Sequence, residues 1–418
     1  MDLNYLTKWL GIQGMNVVKA QWQRKEPRTA VILTLERDSR WEYRCGGCGR
    51  KTEKVYAYRE RTIQHLTLWQ HLSYLEFMEY RVDCLRCGLK VEQLPFVERS
   101  AHVSLMLASQ VYELCKVMTV KAVALLEGLH RETVKTLDKR RLKTTQQQRP
   151  LDGITQLGVD EIAIGKGQKY LHMISALDGP RGSELIYIGE GRKEKDLEKF
   201  WKWFGKERTQ KIQVAVMDMW KGFINSFKAH CPSIVLIYDK FHIIRHLLEA
   251  LNKVRKQQLK QADKKLKGLL IAKKFILLSR QAHVRGKARE SLTQLLSLSK
   301  TIFKAHLLKE SFSHLWSYKS KTWAVKFWKV WKDSLKWSRL KPYQRFARMI
   351  DKHIEGILAC CDHKVPLGFI EATNLKARNI IRRAYGYRDK EYMKLKIIQT
   401  CSHLGVFQPW SFSFNNTS

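Results

Sequence analysis

The stretch Gly158-Val159-Asp160-Glu161-Ile162-Ala163-Ile164-Gly165 constrains this chain more than any other. Its valine, isoleucines and alanine suit a buried strand, and glycines bound it. Two adjacent acids interrupt it. A carboxylate inside an apolar strand is costly to bury unless a cation or a partner compensates. The stretch alone leaves two readings open. It is an edge strand with its acids in water, or a strand that delivers a carboxylate to a site.

The segments around it narrow the choice. Lys169–Leu177 and Glu184–Gly189 read as two further strands, separated by the tight-turn sequence Asp178-Gly179-Pro180-Arg181-Gly182. Lys193–Phe204 has apolar residues at helical spacing. A strand, Ile212–Met217, ends at Asp218; a helix, Trp220–His230, follows; a last strand, Ile234–Tyr238, ends at Asp239. Meander, helix, strand, helix, strand is the order of an RNase H-like α/β core. In such a sheet the first, fourth and fifth strands are neighbours, so Asp160 and Asp218 point into one place. A later helix supplies a third acid, Glu371. Three carboxylates there suit two Mg²⁺ (or Mn²⁺) ions roughly 3.5–4 Å apart, which prefer hard oxygen ligands. Glu161, one residue off, is expected on the opposite face. Asp178, in a turn, and Glu355, in a helix, are expected to be solvated. Asp239 opens Asp239-Lys240-Phe241-His242, where the histidine returns over the acid within one helical turn. A supporting role for Asp239 and His242 is compatible with Asp239 capping the helix.

Ahead of this core stand two Cys-x-x-Cys-Gly knuckles, Cys45/Cys48 and Cys84/Cys87, separated by 35 residues. Two thiolates at that spacing grip one ion, and the glycine lets the backbone turn around it. Strand-like runs between them make an extended hairpin, so the four cysteines are expected to hold a structural Zn²⁺ in a zinc ribbon. Residues 102–145 then change to helical spacing. Val120–Glu127, Gly128 and a basic helix with Arg131, Lys135, Lys139, Arg140 and Arg141 fit a DNA-binding helix-turn-helix. Gln146–Pro150 reads as a linker. Residues 241–355 are helical and very basic, an insertion or separate bundle; core packing is the expected fate of Trp316, Trp323, Trp328, Trp331 and Trp337.

The fold class expected is therefore α+β and multidomain. Its parts are a zinc ribbon (1–100), a helix-turn-helix with linker (101–150), an RNase H-like core in two pieces (151–240 and 356–400), an all-helical insertion (241–355) and an irregular tail (401–418). The net charge of +38 in 418 residues calls for a polyanion. No apolar run approaches the roughly 18 residues that span a bilayer and no signal peptide opens the chain, so double-stranded DNA is preferred over a membrane and a cytoplasmic, nucleoid-associated location is expected. Nine cysteines without a secretory signal argue for a reducing compartment.

Several stretches resemble bacterial insertion-sequence transposases of the DDE type, in particular the ISL-three family. They are Gly158–Gly167, Met217-Asp218-Met219-Trp220-Lys221, Asp239–His246, Glu371-Ala372-Thr373-Asn374 and Arg383–Asp389. The resemblance covers nearly the whole chain. It implies a ribbon and helix-turn-helix that read an element's terminal inverted repeats, a catalytic triad of Asp160, Asp218 and Glu371, and a D-x-x-H motif at Asp239 and His242. It also implies strand cleavage and transfer to target DNA, by a protein expected to oligomerise on its substrate. One departure is Ala372, where the family pattern often has glycine after the last acid. A non-catalytic DNA-binding regulator of the element is the alternative, and an RNA-directed nuclease a third option.

Overall fold

A computed structural model describes residues 3–25, 28–165, 169–363, 365–384 and 386–406. Lys166, Gly167, Tyr385 and the tail from residue 407 onward lie outside the described residues. The chain divides into two units, residues 1–149 with 404–418, and residues 150–403.

The first unit begins with α1 (Leu3–Leu10), β1 (Met15–Lys25) and β2 (Arg28–Arg37). Next come the long hairpin strands β3 (Val55–Leu68) and β4 (His71–Cys84), then short β5 (Gly88–Val91). The sheet order is β1-β2-β4-β3, with β5 on β4. Alternating residues Leu33, Leu35, Leu75 and Phe77 pack its core against Leu6, Leu10 and Phe96. The hairpin bridging the knuckles is thus present. Strand β1 was not legible in the sequence because it is an edge strand with few buried residues: Trp22 is 65 % exposed, with its ring edge-on to His71.

Three helices complete the unit: α2 (Leu105–Val117), α3 (Val120–Glu127) and α4 (Arg131–Gln147). Ser104 caps α2 and Thr119 caps α3 through their hydroxyls, each a donor-satisfying N-cap. Helix α3 ends at Gly128, whose φ of 64° is left-handed and whose hydrogen lies against Leu72. Val111, Val123 and Val134 join the three helices in one small core. The hairpin grips this bundle directly: Gln64 Nε2 donates to the Glu127 carbonyl at 2.6 Å, and His65 Nδ1 pairs with Ser104 Oγ at 2.8 Å.

The second unit is built on β6 (Gln156–Gly165), β7 (Lys169–Gly179), β8 (Gly182–Glu190), β9 (Val214–Met217) and β10 (Val235–Tyr238). Their order is β10-β9-β6-β7-β8. The first three form an antiparallel meander, and β9 runs parallel to both β6 and β10. Helices α5 (Glu198–Phe204), α6 (Lys206–Thr209) and α7 (Lys221–His230) connect the strands. One face of the sheet, with Leu157, Val159 and Ile174, packs on Phe200, Phe204, Phe223 and Phe227. The other face, with Ile162 and Met173, packs on α15 (Leu367–Arg383) and α16 (Lys390–Thr400) through Ala377 and Ile397.

Between these helices lies the basic segment, as α8 (Lys240–Leu259), α9 (Lys264–Ala272), α10 (Lys274–Leu278), α11 (Lys287–Ser297), α12 (Lys300–Phe312), α13 (Lys321–Asp333) and α14 (Lys341–Leu358). Its core is continuous with that of the sheet. Trp328 and Trp331 stack at 5.4 Å within it, and their N–H groups reach Asp351 and the Leu308 carbonyl. The expectation that all five tryptophans pack inside is corrected by Trp323 and Trp337, which are 59 % and 90 % exposed. Trp323 lies on the solvent side of α13, whose inner side Trp328 and Trp331 already fill, and Trp337 lies in the turn after that helix.

Candidate active site and metal centre

In the first unit the two knuckles close on each other. Cys45 and Cys84 are buried, and the four Sγ atoms of Cys45, Cys48, Cys84 and Cys87 lie within 4.8 Å of one another. A Zn–S length near 2.3 Å in a tetrahedron puts sulfurs about 3.8 Å apart, and Cys48 and Cys84 are at 3.6 Å. Backbone bonds shape each knuckle: Gly47 N–H donates to Cys45 Sγ, Gly49 N–H to the Cys45 carbonyl, and Cys87 N–H to the Cys84 carbonyl. Gly49 and Gly88 take φ of 71° and 65°, which a side chain would strain. An all-cysteine set with no open position fits a structural zinc ion.

On α4, Val134, Asp138 and Leu142 face the bundle core. Arg131 is exposed at the helix start. Lys135 lies 3.6 Å from Glu132, and Lys139 is half-buried. Other basic residues are engaged within their own unit as well: Arg140 pairs with Glu98, and the Arg141 guanidinium sits 6.0 Å from the Tyr112 ring.

In the second unit the parallel ladders bring acids from distant parts of the chain to one level. Gly158 pairs with Val216, so two residues on, Asp160 comes level with Asp218. Met217 pairs with Tyr238, which sets Asp239 level with Asp218 on the far side. Asp239 N–H bonds the Met217 carbonyl at 3.0 Å and fixes that last step. His242, one turn into α8, spans the row. Its Nδ1 is 3.2 Å from Asp239 Oδ2 and its Nε2 is 3.7 Å from Asp218 Oδ2. Asp239 also accepts from Phe241 N–H at 2.9 Å, so the capping and histidine-holding roles coexist. Burial pulls the His242 pKa down, but the bond to Asp239 and the fields of Asp218 and Asp160 outweigh it and leave it raised.

Asp160 is 8 % exposed. Burial raises its pKa, opposed by His242, by the Glu161 N–H at 2.7 Å and by the Asn374 side-chain amide. Asn374 comes from α15, which packs tightly here because Gly158 has no side chain: a Cβ there would meet Ile370 Cδ1 at 2.8 Å. Glu371 lies on α15 three residues before Asn374, and is exposed. Among the described residues the four cysteines are the one set of three or more histidine, cysteine or acidic side chains with ligand atoms all within 4.8 Å. Asp160, Asp218 and Glu371 are thus not drawn to that spacing. The donors present around Asp160 still suit a hard cation: they are oxygens, and Asn374 Oδ1, beside Asp160, is buried with no hydrogen-bond partner.

Glu161 is directed away from Asp160, to Arg192 at 3.1 Å. Burial raises its pKa, and Arg192 opposes this. Asp178 is corrected: it is not solvated but lies in β7, accepting from the Thr155 and Gln156 N–H groups at 2.9–3.1 Å and so anchoring the start of β6. Two partners of the site had not been assigned roles from sequence. Asn374 carried a signal, one helical turn after Glu371. Arg245 lies 3.9 Å from Asp218 and is largely exposed; it falls in the Asp239–His246 stretch, where no role was assigned to it.

Comparison with known proteins agrees with this division. A family model described as "Transposase" matches residues 157–397. The "Helix-turn-helix domain of transposase family ISL3" matches residues 92–142, and the "zinc-finger of transposase IS204/IS1001/IS1096/IS1165" matches residues 41–87. The chain is 28 % identical over 401 residues to the transposase for insertion sequence element IS1001 of Bordetella parapertussis, covering 95 % of this chain and 98 % of that protein. It is 24 % identical over 406 residues to the transposase for IS1557 of Mycobacterium tuberculosis, with 88 % and 85 % covered. With a zinc ribbon, a DNA-binding helix-turn-helix and a matching catalytic region in one chain, this protein belongs to the ISL3 family of insertion-sequence transposases.

Proposed function

We propose that this transposase binds the terminal inverted repeats of its element, cleaves the DNA strands there and joins the freed 3′-hydroxyl to target DNA. The chemistry takes place on an RNase H-like core by a two-metal DDE mechanism. Asp160, Asp218 and Glu371 would hold Mg²⁺ or Mn²⁺, with Asp239 and His242 in support. The observation that carries this reading is the level row of Asp160, Asp218 and Asp239 across three neighbouring strands, with α15 docked against Asp160 through Asn374. The strand order supports the RNase H-like assignment. Divalent cations bound there supply positive charge to the scissile phosphate and acidify the attacking hydroxyl or water. The protein's own contribution is positioning. Asn374 and the Glu161 N–H hold one carboxylate, and the Met219 N–H holds the other at 2.6 Å. His242 spans Asp239 and Asp218, next to where an anionic strand would lie, and those acids raise its pKa against the pull of burial. Arg245 offers a further cation at the rim. The ribbon and α3–α4 supply the repeat-reading surface, with Arg131, Lys135, Lys139, Arg140 and Arg141 as the DNA-contacting set, and oligomers form on the paired ends.

The test is incubation of purified protein with end-labelled duplexes of the element's ends and Mg²⁺, mapping the cut on each strand. Wild type nicks at the repeat boundary. Asp160→Asn, Asp218→Asn and Glu371→Gln bind the ends but do not cut them. Footprints at the repeats with no Mg²⁺-dependent nicking by the wild type would instead make the protein a regulator. Undiminished cutting by the variants would remove these acids from the chemistry.

A further inference from the structure

We propose that Arg192 is a positioning residue of the acid centre. It ties the strand carrying Asp160 to the turn carrying Asp218, through Glu161 on one side and Trp220 on the other. This role rests on the reading of Asp160 and Asp218 as cation ligands.

The need for such a tie follows from the ladder. Pairing between β6 and β9 stops at Gly158 and Val216. The ladder pairs no residues of these two strands beyond that point, so it does not itself set the separation of Asp160 and Asp218 that cation binding demands. Arg192 follows β8 directly, after Gly191 at φ 83°. Its Nη1 donates to Glu161 Oε1 at 3.1 Å. Its guanidinium lies between two rings, 4.3 Å from the centroid of Tyr170 and 4.2 Å from that of Trp220. Its carbonyl accepts from Trp220 Nε1 at 2.8 Å, so both the ring and the N–H of Trp220 are fixed by one residue. Gly222 closes the joint: a Cβ there would stand 2.9 Å from the Arg192 carbonyl oxygen and 3.0 Å from Trp220 Nε1.

Each end of the tie reaches an acid by a short route. Glu161 is the peptide neighbour of Asp160, and its N–H is the donor to Asp160 Oδ1. Moving Glu161 therefore moves a bond that orients Asp160. Trp220 is two residues from Asp218, in the turn whose Met219 N–H donates to Asp218 Oδ1. The Arg192–Glu161 pair is mostly buried, with 27 % and 22 % of the side chains exposed, and Glu161 Oε2 is buried without a hydrogen-bond partner. A partly buried ion pair of this kind adds little net stability, since desolvation offsets much of its attraction. Holding geometry is the role that suits it. With a ring on each side and a carboxylate at its tip, the guanidinium is also badly placed to grip a DNA phosphate.

The experiment uses the full chain bound to a duplex of the element's end. It compares Arg192→Ala, Arg192→Lys, Glu161→Ala and Glu161→Gln with wild type. Mn²⁺ affinity is read by electron paramagnetic resonance, the Mg²⁺ midpoint from strand cleavage, duplex affinity from retardation, and folding from thermal melts. Both alanine variants are expected to weaken Mn²⁺ binding and raise the Mg²⁺ midpoint by about 10- to 100-fold, the usual effect of losing an outer support of a metal site. Duplex affinity stays at the wild-type level. Glu161→Gln keeps most of the metal affinity, because its amide oxygen still accepts from Arg192. Arg192→Lys recovers only part, because an ammonium pairs with Glu161 but does not fill the flat slot between two rings. Mn²⁺ affinity equal to wild type in both folded alanine variants would overturn the proposal. So would a loss of duplex affinity with Mn²⁺ binding intact, which would make Arg192 a DNA contact. Should Arg192→Ala fail to fold, Glu161→Ala and Trp220→Leu cut the same tie at its two ends. Asp160→Asn is the control that separates the levels: if it too leaves Mn²⁺ binding intact, the acids are not the ligands, and the tie falls with that reading rather than by its own failure.

Discussion

His65 shows how a single buried side chain sets a pH limit on the first unit. It is 1 % exposed, and burial pulls its pKa down to about 4 from an ordinary 6.5. In the unfolded chain the ring takes up a proton as pH falls below 6.5; in the folded chain it stays neutral until about 4. The unfolded state therefore binds more protons across that window, and stability drops as pH falls through it. The loss at pH 5 relative to pH 7 is about 2 kcal/mol. His65→Asn, which keeps an acceptor for the Ser104 hydroxyl, is expected to flatten the pH dependence of the first unit's thermal transition between pH 7 and pH 5. The transition of the second unit still moves, because His306 there is held at about 4 by burial as well. An unchanged slope in the variant would show that another group governs acid sensitivity.

Among the elements, the β3–β4 hairpin depends on the cysteines at its base and delivers stability to the helices at its tip. Zinc binding in sites of this kind contributes about 10–16 kcal/mol of folding free energy. Gln64 and His65 on β3 bond directly to α2 and α3, so loosening the ribbon removes the platform of the helix-turn-helix. Chelation, or Cys48→Ser, is expected to abolish repeat binding and the first unit's thermal transition while leaving that of residues 150–403 in place. Restoring Zn²⁺ to the chelated wild type returns both. Helix α15 makes a second case. Ala372 follows Glu371 and is exposed. Replacing this exposed residue with glycine costs about 1 kcal/mol of helix stability, so Ala372→Gly should lower the melting temperature slightly and leave the cleavage rate near wild type. A large change in rate would show that the residue beside the last acid takes part in the site.

At the scale of the whole molecule, the excess of 77 basic over 39 acidic residues governs encounter with DNA. A protein covering six or more phosphates releases their counterions, and its log affinity falls against log salt with a slope of about −5 or steeper. Filter binding to duplexes of unrelated sequence between 50 and 200 mM salt is expected to show affinity falling by about a thousandfold or more. A shallow slope would mean that the charge is spent on intramolecular pairs. Among the described residues no helix is long and apolar enough to cross a membrane.

The sequence by itself determined most of the elements and their order, because strand and helix periodicities are local properties of the chain. Alternation marked β6, β7 and β8, apolar spacing marked α5 and α7, and two knuckles with their glycines marked the metal centre before any contact was known. It also singled out Asp160, Asp218 and Asp239, since a carboxylate in or at the end of an apolar strand is anomalous wherever it occurs. What it left out was whatever depends on which surfaces meet. Strand β1 escaped notice because an exposed edge carries no burial pattern. Asp178 and the outer tryptophans were misplaced because exposure is decided by neighbours far along the chain. Only the tertiary structure set Asp160, Asp218 and Asp239 level, since the parallel register of β9 against β6 and β10 joins residues 58 and 21 positions apart. Only it gave Asp160 the amide of Asn374 and gave Glu161 the guanidinium of Arg192, because those bonds exist only once α15 and the segment after β8 have packed against the same strand.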